Sequence, residues 1–212
     1  MIDFIRFVAE NRSDLYSALT QHIFITITAV LSGAVLAIPF GIFLTRRPAI
    51  ANPVMAAVGV SQTIPSLVMF GIAMPILGIG VKTALVVLVI YSIFPILRNT
   101  FTGISGVDEK YKEAAKGMGM NGRQVLFNVE IPLAMPLIIT GIRISTVYII
   151  SWATLAALIG GGGLGDLIFT GLQTYNYNMI LLGALPACIL AVAANGIIGL
   201  LQKAAVPKGL DK

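Results

Sequence analysis

Apolar residues in this chain neither alternate with polar ones nor fall into narrow stripes; they run on. Uncharged stretches extend from His22 to Thr45, Pro48 to Val81, Thr83 to Leu97, Ile131 to Ile142, Ile144 to Gly165 and Leu167 to Gln202. A helix needs about 20 such residues to cross a bilayer, so the pattern predicts about five spans. They are placed near residues 22–44, 54–78, 81–101, 134–159 and 178–201 of an all-α integral membrane protein. Ahead of them, residues 1–21 mix Asp3, Arg6, Glu10, Arg12 and Asp14 with apolar positions. That mixture reads either as an interfacial amphipathic helix or as a loose polar tail, and not as a cleaved signal, whose apolar stretch would come first.

Residues 107–132 form the one long polar interruption, and their pattern predicts two short helices around a glycine turn. Asp108 is placed to cap the first helix, on which Tyr111, Ala114, Ala115 and Met118 recur at helical spacing before Gly117 and Gly119 end it. Asn121 followed three residues later by Gln124 has the form of a capping box, with Met120 and Val125 at staple positions. The second helix is expected to stop at Pro132.

Composition agrees with the membrane reading. Charged residues make up 11% of the chain and hydrophobic ones 57%, where a soluble domain carries about 25% charged residues. The net charge of +5 follows from where Lys and Arg fall. With an outside N-terminus, the inner side holds ten of the fourteen basic residues: Arg46, Arg47, Arg98, the insert's Lys110, Lys112, Lys116 and Arg123, and Lys203, Lys208 and Lys212. The outer side holds Arg6, Arg12 and Lys82, and Arg143 lies within a span. This bias favours an N-out, C-in topology with the insert in the cytoplasm, and gives no reason to propose nucleic-acid binding. No linker or internal repeat divides the chain, so residues 1–212 read as a single transmembrane domain.

Chemistry is sparse. The chain has no Gly-x-x-x-x-Gly-Lys-Ser/Thr loop to cradle nucleotide phosphates. No carboxylate pair or nucleophile with its base is visible, the single histidine, His22, reads as an interfacial polar residue, and the single cysteine, Cys188, as a small buried hydrophobe. The expectation is a non-enzyme with no catalytic residue, no metal site and no cofactor of its own.

Glu113-Ala114-Ala115, Gly119 and Ile131-Pro132, at their spacing, resemble the EAA loop of the membrane subunits of type I ATP-binding-cassette importers, which have the MetI-like fold. The resemblance implies that the insert is a coupling helix seated in a cytoplasmic ATPase subunit, with Glu113, Ala114, Ala115, Gly119, Arg123, Ile131 and Pro132 as coupling residues. Segments from Gly59 to Leu67 and from Gly160 to Thr174 look like the osmoprotectant branch, which imports glycine betaine, carnitine, choline and similar quaternary ammonium solutes. It implies a bacterial cytoplasmic-membrane permease that works with a second permease copy, identical or related, with ATP and magnesium on the partner ATPase. Some members carry a fused solute-binding domain; here a separate binding protein is expected.

Pathway candidates come from polar residues at membrane depth: Gln62, Thr63 and Ser66 around Pro65, then Arg143, Ser151 and Trp152. Gln62, Thr63 and Ser66 read equally as interhelical hydrogen-bonding groups. Arg143 is expected either to pair with Glu130 or a backbone carbonyl, or to snorkel to the headgroups. The run Gly160, Gly161, Gly162, Gly163 and Gly165 with Asp166 is a candidate outer gate or docking surface for the binding protein, or a plain turn. The competing readings are an importer of another solute such as ergothioneine or an amino acid, an ion-coupled carrier, and a membrane scaffold. A carrier would need mid-membrane ionisable residues or inverted repeats, and only Arg143 qualifies.

Overall fold

The computed structural model describes residues 2–205; Met1 and residues 206–212, with Lys208 and Lys212, lie outside it. Among the described residues the chain is helical throughout, without a strand. The first segment is a helix, α1 (Ile2–Glu10), braced by an Arg6–Glu10 ion pair of 2.9 Å one turn apart. After Asn11 comes α2 (Arg12–Thr45), which starts ten residues before the expected span. Hydropathy marks where charges stop, whereas a helix carries charges in its first turn without breaking. α3 (Pro48–Ser61) and α4 (Ser66–Leu77) meet at 90°, so the second expected span is a broken pair. α5 (Val81–Ser105) follows a turn in which Gly78 and Gly80 both have positive φ.

The insert forms α6 (Glu109–Gly117) and α7 (Gly122–Val125). α7 does not stop at Pro132. It passes through one π turn, Leu126–Glu130, directly into α8 (Ile131–Ala156). The Ile131 amide reaches back five residues to Leu126, and the wider turn accommodates a proline that has no amide to donate. A 3₁₀ turn, Ala157–Ile159, closes α8, and α9 (Leu164–Gln173) and α10 (Tyr177–Ala204) complete the chain. Four stretches are long and apolar enough to cross a membrane, or five with the broken pair, among the described residues.

α2, α5 and α8 pack as a central trio whose contacts are made by small residues. Lipid is as apolar as leucine, so helices associate by close packing and hydrogen bonds instead of by leaving water. A Cβ added to Gly33 of α2 would meet the Ser92 side chain of α5, and one added to Gly141 of α8 would lie 2.9 Å from the Pro95 carbonyl oxygen. Ser92 Oγ shares its one hydrogen between the Val89 carbonyl of its own helix at 2.8 Å and the Ala29 carbonyl of α2 at 3.1 Å, and Ser145 Oγ donates to the Ser92 carbonyl at 3.1 Å, tying the three helices at one level. Around this seam lies a core of Ile25, Ala29, Leu88, Tyr91, Ile149 and Ala153. α10 is covered on one side only: Leu181, Ile189, Val192 and Leu200 are exposed. Cys188 sits on that open side, exposed and not buried, because apolarity alone does not distinguish a lipid-facing or partner-facing position from a core one.

Replacing Gly141 with Leu should cost about 1–3 kcal/mol through overpacking against α5 backbone. Gly196, with no atom within 4 Å of an added Cβ, should accept Leu with little effect. Thermal unfolding of the purified protein checks this, and equal midpoints for the two variants would contradict the seam's importance.

Candidate functional site

The elbow is built from local signals. The Asp108 side chain accepts from the Lys110 amide at 3.0 Å and pairs with the Lys110 ammonium at 2.8 Å. The hydrogen bond from the Lys110 side chain holds the Asp108 carboxyl below its ordinary value, as Lys112 does for Glu109. Both pairs are therefore intact at neutral pH, and their contribution is lost as pH falls through the lowered pKa values. Asn121 and Gln124 form the reciprocal capping box, at 3.0 and 2.8 Å. Between the helices Gly119 adopts φ +86°, a left-handed conformation that costs other residues about 1–2 kcal/mol.

Ala115 and Val125 are buried where the two helices meet, while Glu113, Ala114 and Arg123 are exposed, together with Tyr111, Met118 and Phe127. Among the described residues Glu113 pairs with no basic side chain, since Lys112 and Lys116 both turn to Glu109. Ile131 and Pro132 are half-buried at the foot of α8. Next to them, Glu130 is buried and forms an ion pair with Arg46 at the end of α2, 84 positions away. The sequence offered Glu130 to Arg143 instead.

Arg143 turns to α10, where its Nε donates to Asn195 Oδ1 at 2.7 Å over the bare backbone of Gly199. One turn toward the elbow, Gln202 Nε2 donates to Thr140 Oγ1 at 2.9 Å. Arg143 is thus an interhelical tie between α8 and α10, and it faces away from the groove described next.

That groove lies at the break between α3 and α4. Ile64, before a proline, is pushed out of helical geometry, and the amides of Gln62 and Thr63 close tight turns on Gly59 and Val60. Pro95 in α5 supplies no amide, which frees the Tyr91 carbonyl four residues earlier; Gln62 Nε2 donates to it at 3.2 Å. In return Tyr91 Oη donates to the Ile64 carbonyl at 2.6 Å. On each side of the break a backbone carbonyl is thus paired with a side chain from the other side. Trp152 packs on Tyr91 at 4.6 Å between ring centroids, and Tyr148 on Trp152 at 5.5 Å.

In front of these rings is a cavity of about 560 Å³ that also reaches Phe94, Arg98, Asn99 and Ile144. Of the pathway candidates it brings together Gln62 and Trp152. Thr63 and Ser151 are exposed, with their hydroxyls bonded to their own helices, and they, Pro65, Ser66 and Arg143 are not among its lining residues. Phe94, Arg98 and Asn99 escaped the sequence reading, in which Arg98 counted only toward inner charge. The one available signal was a cation and an amide side by side shortly after Pro95.

The glycine run is clamped. Gly161, Gly162, Gly163 and Gly165 are buried, leaving Gly160 and Asp166 exposed. Gln21 Nε2 donates to the Gly161 carbonyl at 3.3 Å and Gln21 Oε1 accepts from the Gly163 amide at 3.1 Å. His22 lies buried beneath Gly163 and donates from Nε2 to the Ile150 carbonyl at 3.1 Å, packed between helices instead of exposed. The Gly80 amide donates to the Ile159 carbonyl at 2.8 Å, joining the α4–α5 turn to the same cluster. Among the described residues no three His, Cys, Asp or Glu side chains are grouped to hold a metal ion.

Residues 37–209 match the family described as binding-protein-dependent transport system inner membrane component. The chain belongs to that family. Within this family of permease components it is 47% identical to the carnitine transport permease protein OpuCB of Listeria monocytogenes, over 97% of this chain and 94% of that one. It is 45% identical to the glycine betaine/carnitine/choline transport system permease protein OpuCB of Bacillus subtilis, with the same coverage of both. Among solved structures it resembles a chain of the inward-facing MetNI methionine ABC transporter. The TM-score is 0.84 at 20% identity, covering 93% of this chain and 99% of that one, a likeness of fold. The chain is a multi-pass membrane permease component with the type I importer fold.

In this permease, Arg46→Ala leaves the buried Glu130 carboxylate without its partner and should destabilise by about 1–3 kcal/mol. Glu130→Gln added to it should recover part of the loss. Thermal unfolding of the single and double variants checks this, and a silent Arg46→Ala would show that the pair holds nothing.

Proposed function

We propose that this permease carries a quaternary ammonium compatible solute, of the glycine betaine, carnitine and choline class, into a bacterial cell across the cytoplasmic membrane. The observation that carries the reading is the near full-length likeness, at 42–47% identity, to three permeases named for carnitine, glycine betaine and choline transport. The aromatic groove at the α3–α4 break supports it, because rings attract such cations.

Transport proceeds by alternating access. Two permease copies, identical or related, assemble with a cytoplasmic ATPase that binds ATP and magnesium. A separate solute-binding protein delivers the solute outside, where Gly160 and Asp166 are the accessible part of the glycine cluster. The N-terminus lies outside and the C-terminus inside, which puts the elbow in the cytoplasm with the ATPase. Glu113 offers it a carboxylate, Ala114 permits close approach and Gly119 sets the turn, while Arg123, Ile131 and Pro132 join the docked surface to α8. ATP hydrolysis is the partner's, so this chain is a transport subunit and not itself an enzyme.

Reconstitution with the ATPase and the binding protein tests the reading: glycine betaine, carnitine or choline should stimulate ATP hydrolysis and enter the vesicles. Stimulation by ergothioneine or an amino acid instead would replace the solute class and leave the permease standing. Glu113→Lys and Gly119→Leu should lower uptake by about tenfold or more, a coupling loss of at least about 1.4 kcal/mol, without loss of the folded protein. Normal ATP-driven uptake by both would remove the elbow from the coupling role.

A further inference from the structure

The groove at the helix break has two chemically different ends. Toward the α9 end of α8, Trp152 and Tyr148 present aromatic surface, held from behind by Tyr91, whose hydroxyl is fixed on the Ile64 carbonyl. Toward the elbow end, Arg98 lies over the Phe94 ring at 5.9 Å, beside Asn99. No Asp or Glu lines the groove, and among the described residues no carboxylate pairs with Arg98. Both ends line the one groove, and along α8 Ile144 follows Tyr148 by one helical turn, about 6 Å, toward the elbow.

A cation without an acid around it recruits an anion. Its planar fork fits a carboxylate through two parallel hydrogen bonds. Phe94 beneath the guanidinium restricts where the fork points, and Asn99 has an amide hydrogen left after its bond to the Pro95 carbonyl at 2.8 Å. At the other end, ring faces hold a quaternary ammonium that has no N–H to donate. A solute bearing only the ammonium finds the rings but also the repulsion of Arg98. One bearing both charges a few carbon atoms apart satisfies both ends at once.

We propose that this groove is a transit subsite inside the permease for zwitterionic trimethylammonium carboxylates, with the ammonium on Trp152 and Tyr148 and the carboxylate on Arg98. The inference rests on the quaternary ammonium reading above and adds a selectivity step to it: glycine betaine and carnitine are favoured over choline after the binding protein has released them. Arg98 is then a specificity-determining residue of the permease.

The test uses the complete importer in proteoliposomes with saturating binding protein, comparing initial uptake of glycine betaine and of choline. Arg98→Gln should lower the glycine betaine to choline rate ratio by about tenfold, the loss expected for a charge-assisted carboxylate contact, while Arg98→Lys, which keeps the charge and loses the fork, should lower it by less than Arg98→Gln does. Trp152→Leu should slow both solutes, and Trp152→Phe should restore both. If the wild type carries glycine betaine and no choline, the same tenfold loss, with ATP hydrolysis still stimulated by the loaded binding protein, supports the subsite. Equal loss of both solutes in Arg98→Gln, or an unchanged ratio, overturns it and leaves Arg98 a structural or headgroup-facing cation. A wild type that carries choline alone also overturns it. A wild type that carries neither solute fails earlier, at the solute class, and is recognised without any variant.

Discussion

Close approach of α2, α5 and α8 is the constraint on which the remaining geometry depends. Within a bilayer there is no water to expel from between helices, so the trio is held by how near its backbones come and by the hydroxyls that cross between them. Gly33 and Gly141 set the distance, and Ser92 and Ser145 supply the cross-links. Every feature of functional interest is hung on this trio. The broken α3–α4 pair leans on α5, the elbow continues into α8, and the glycine cluster is clamped to α2.

The break itself shows how irregular backbone is tolerated at membrane depth. Pro65 interrupts one segment and Pro95 empties a donor position in another. Gln62 and Tyr91 then exchange hydrogen bonds across the gap, so the Tyr91 and Ile64 carbonyls are both paired. The same exchange fixes Tyr91, which fixes Trp152, so the aromatic wall is rigid because of the break and not in spite of it. The cost of two prolines is thereby converted into a preorganised surface.

What could be read from the sequence was whatever is local. Asp108, Asn121, Gln124 and Gly119 act within a few residues of themselves, and the caps and the left-handed turn appear where their spacing places them. What could not be read were pairings across distance. Arg143 meets Asn195 at 52 positions' separation, Glu130 meets Arg46 at 84, and Gln21 meets the glycine run at about 140. Polar residues in an apolar chain announce that they need partners, but not which. Pro132 misled for a related reason: a proline forbids one hydrogen bond, and a single π turn satisfies that prohibition without ending the helix.

From Gly122 to Ile159 the backbone is helical for 38 residues without a break. Gly141, where an added Cβ would lie 2.9 Å from α5 backbone, stands near the middle, 19 residues from one end and 18 from the other (141 minus 122, and 159 minus 141). A stiff rod pinned at its midpoint is a see-saw with equal arms. If such a rod turned as one body, a sideways push on the elbow end would reappear at the glycine end with similar size and opposite sense. Opening one side of the membrane while closing the other then requires no hinge within the rod, only a fulcrum small enough to let it rock.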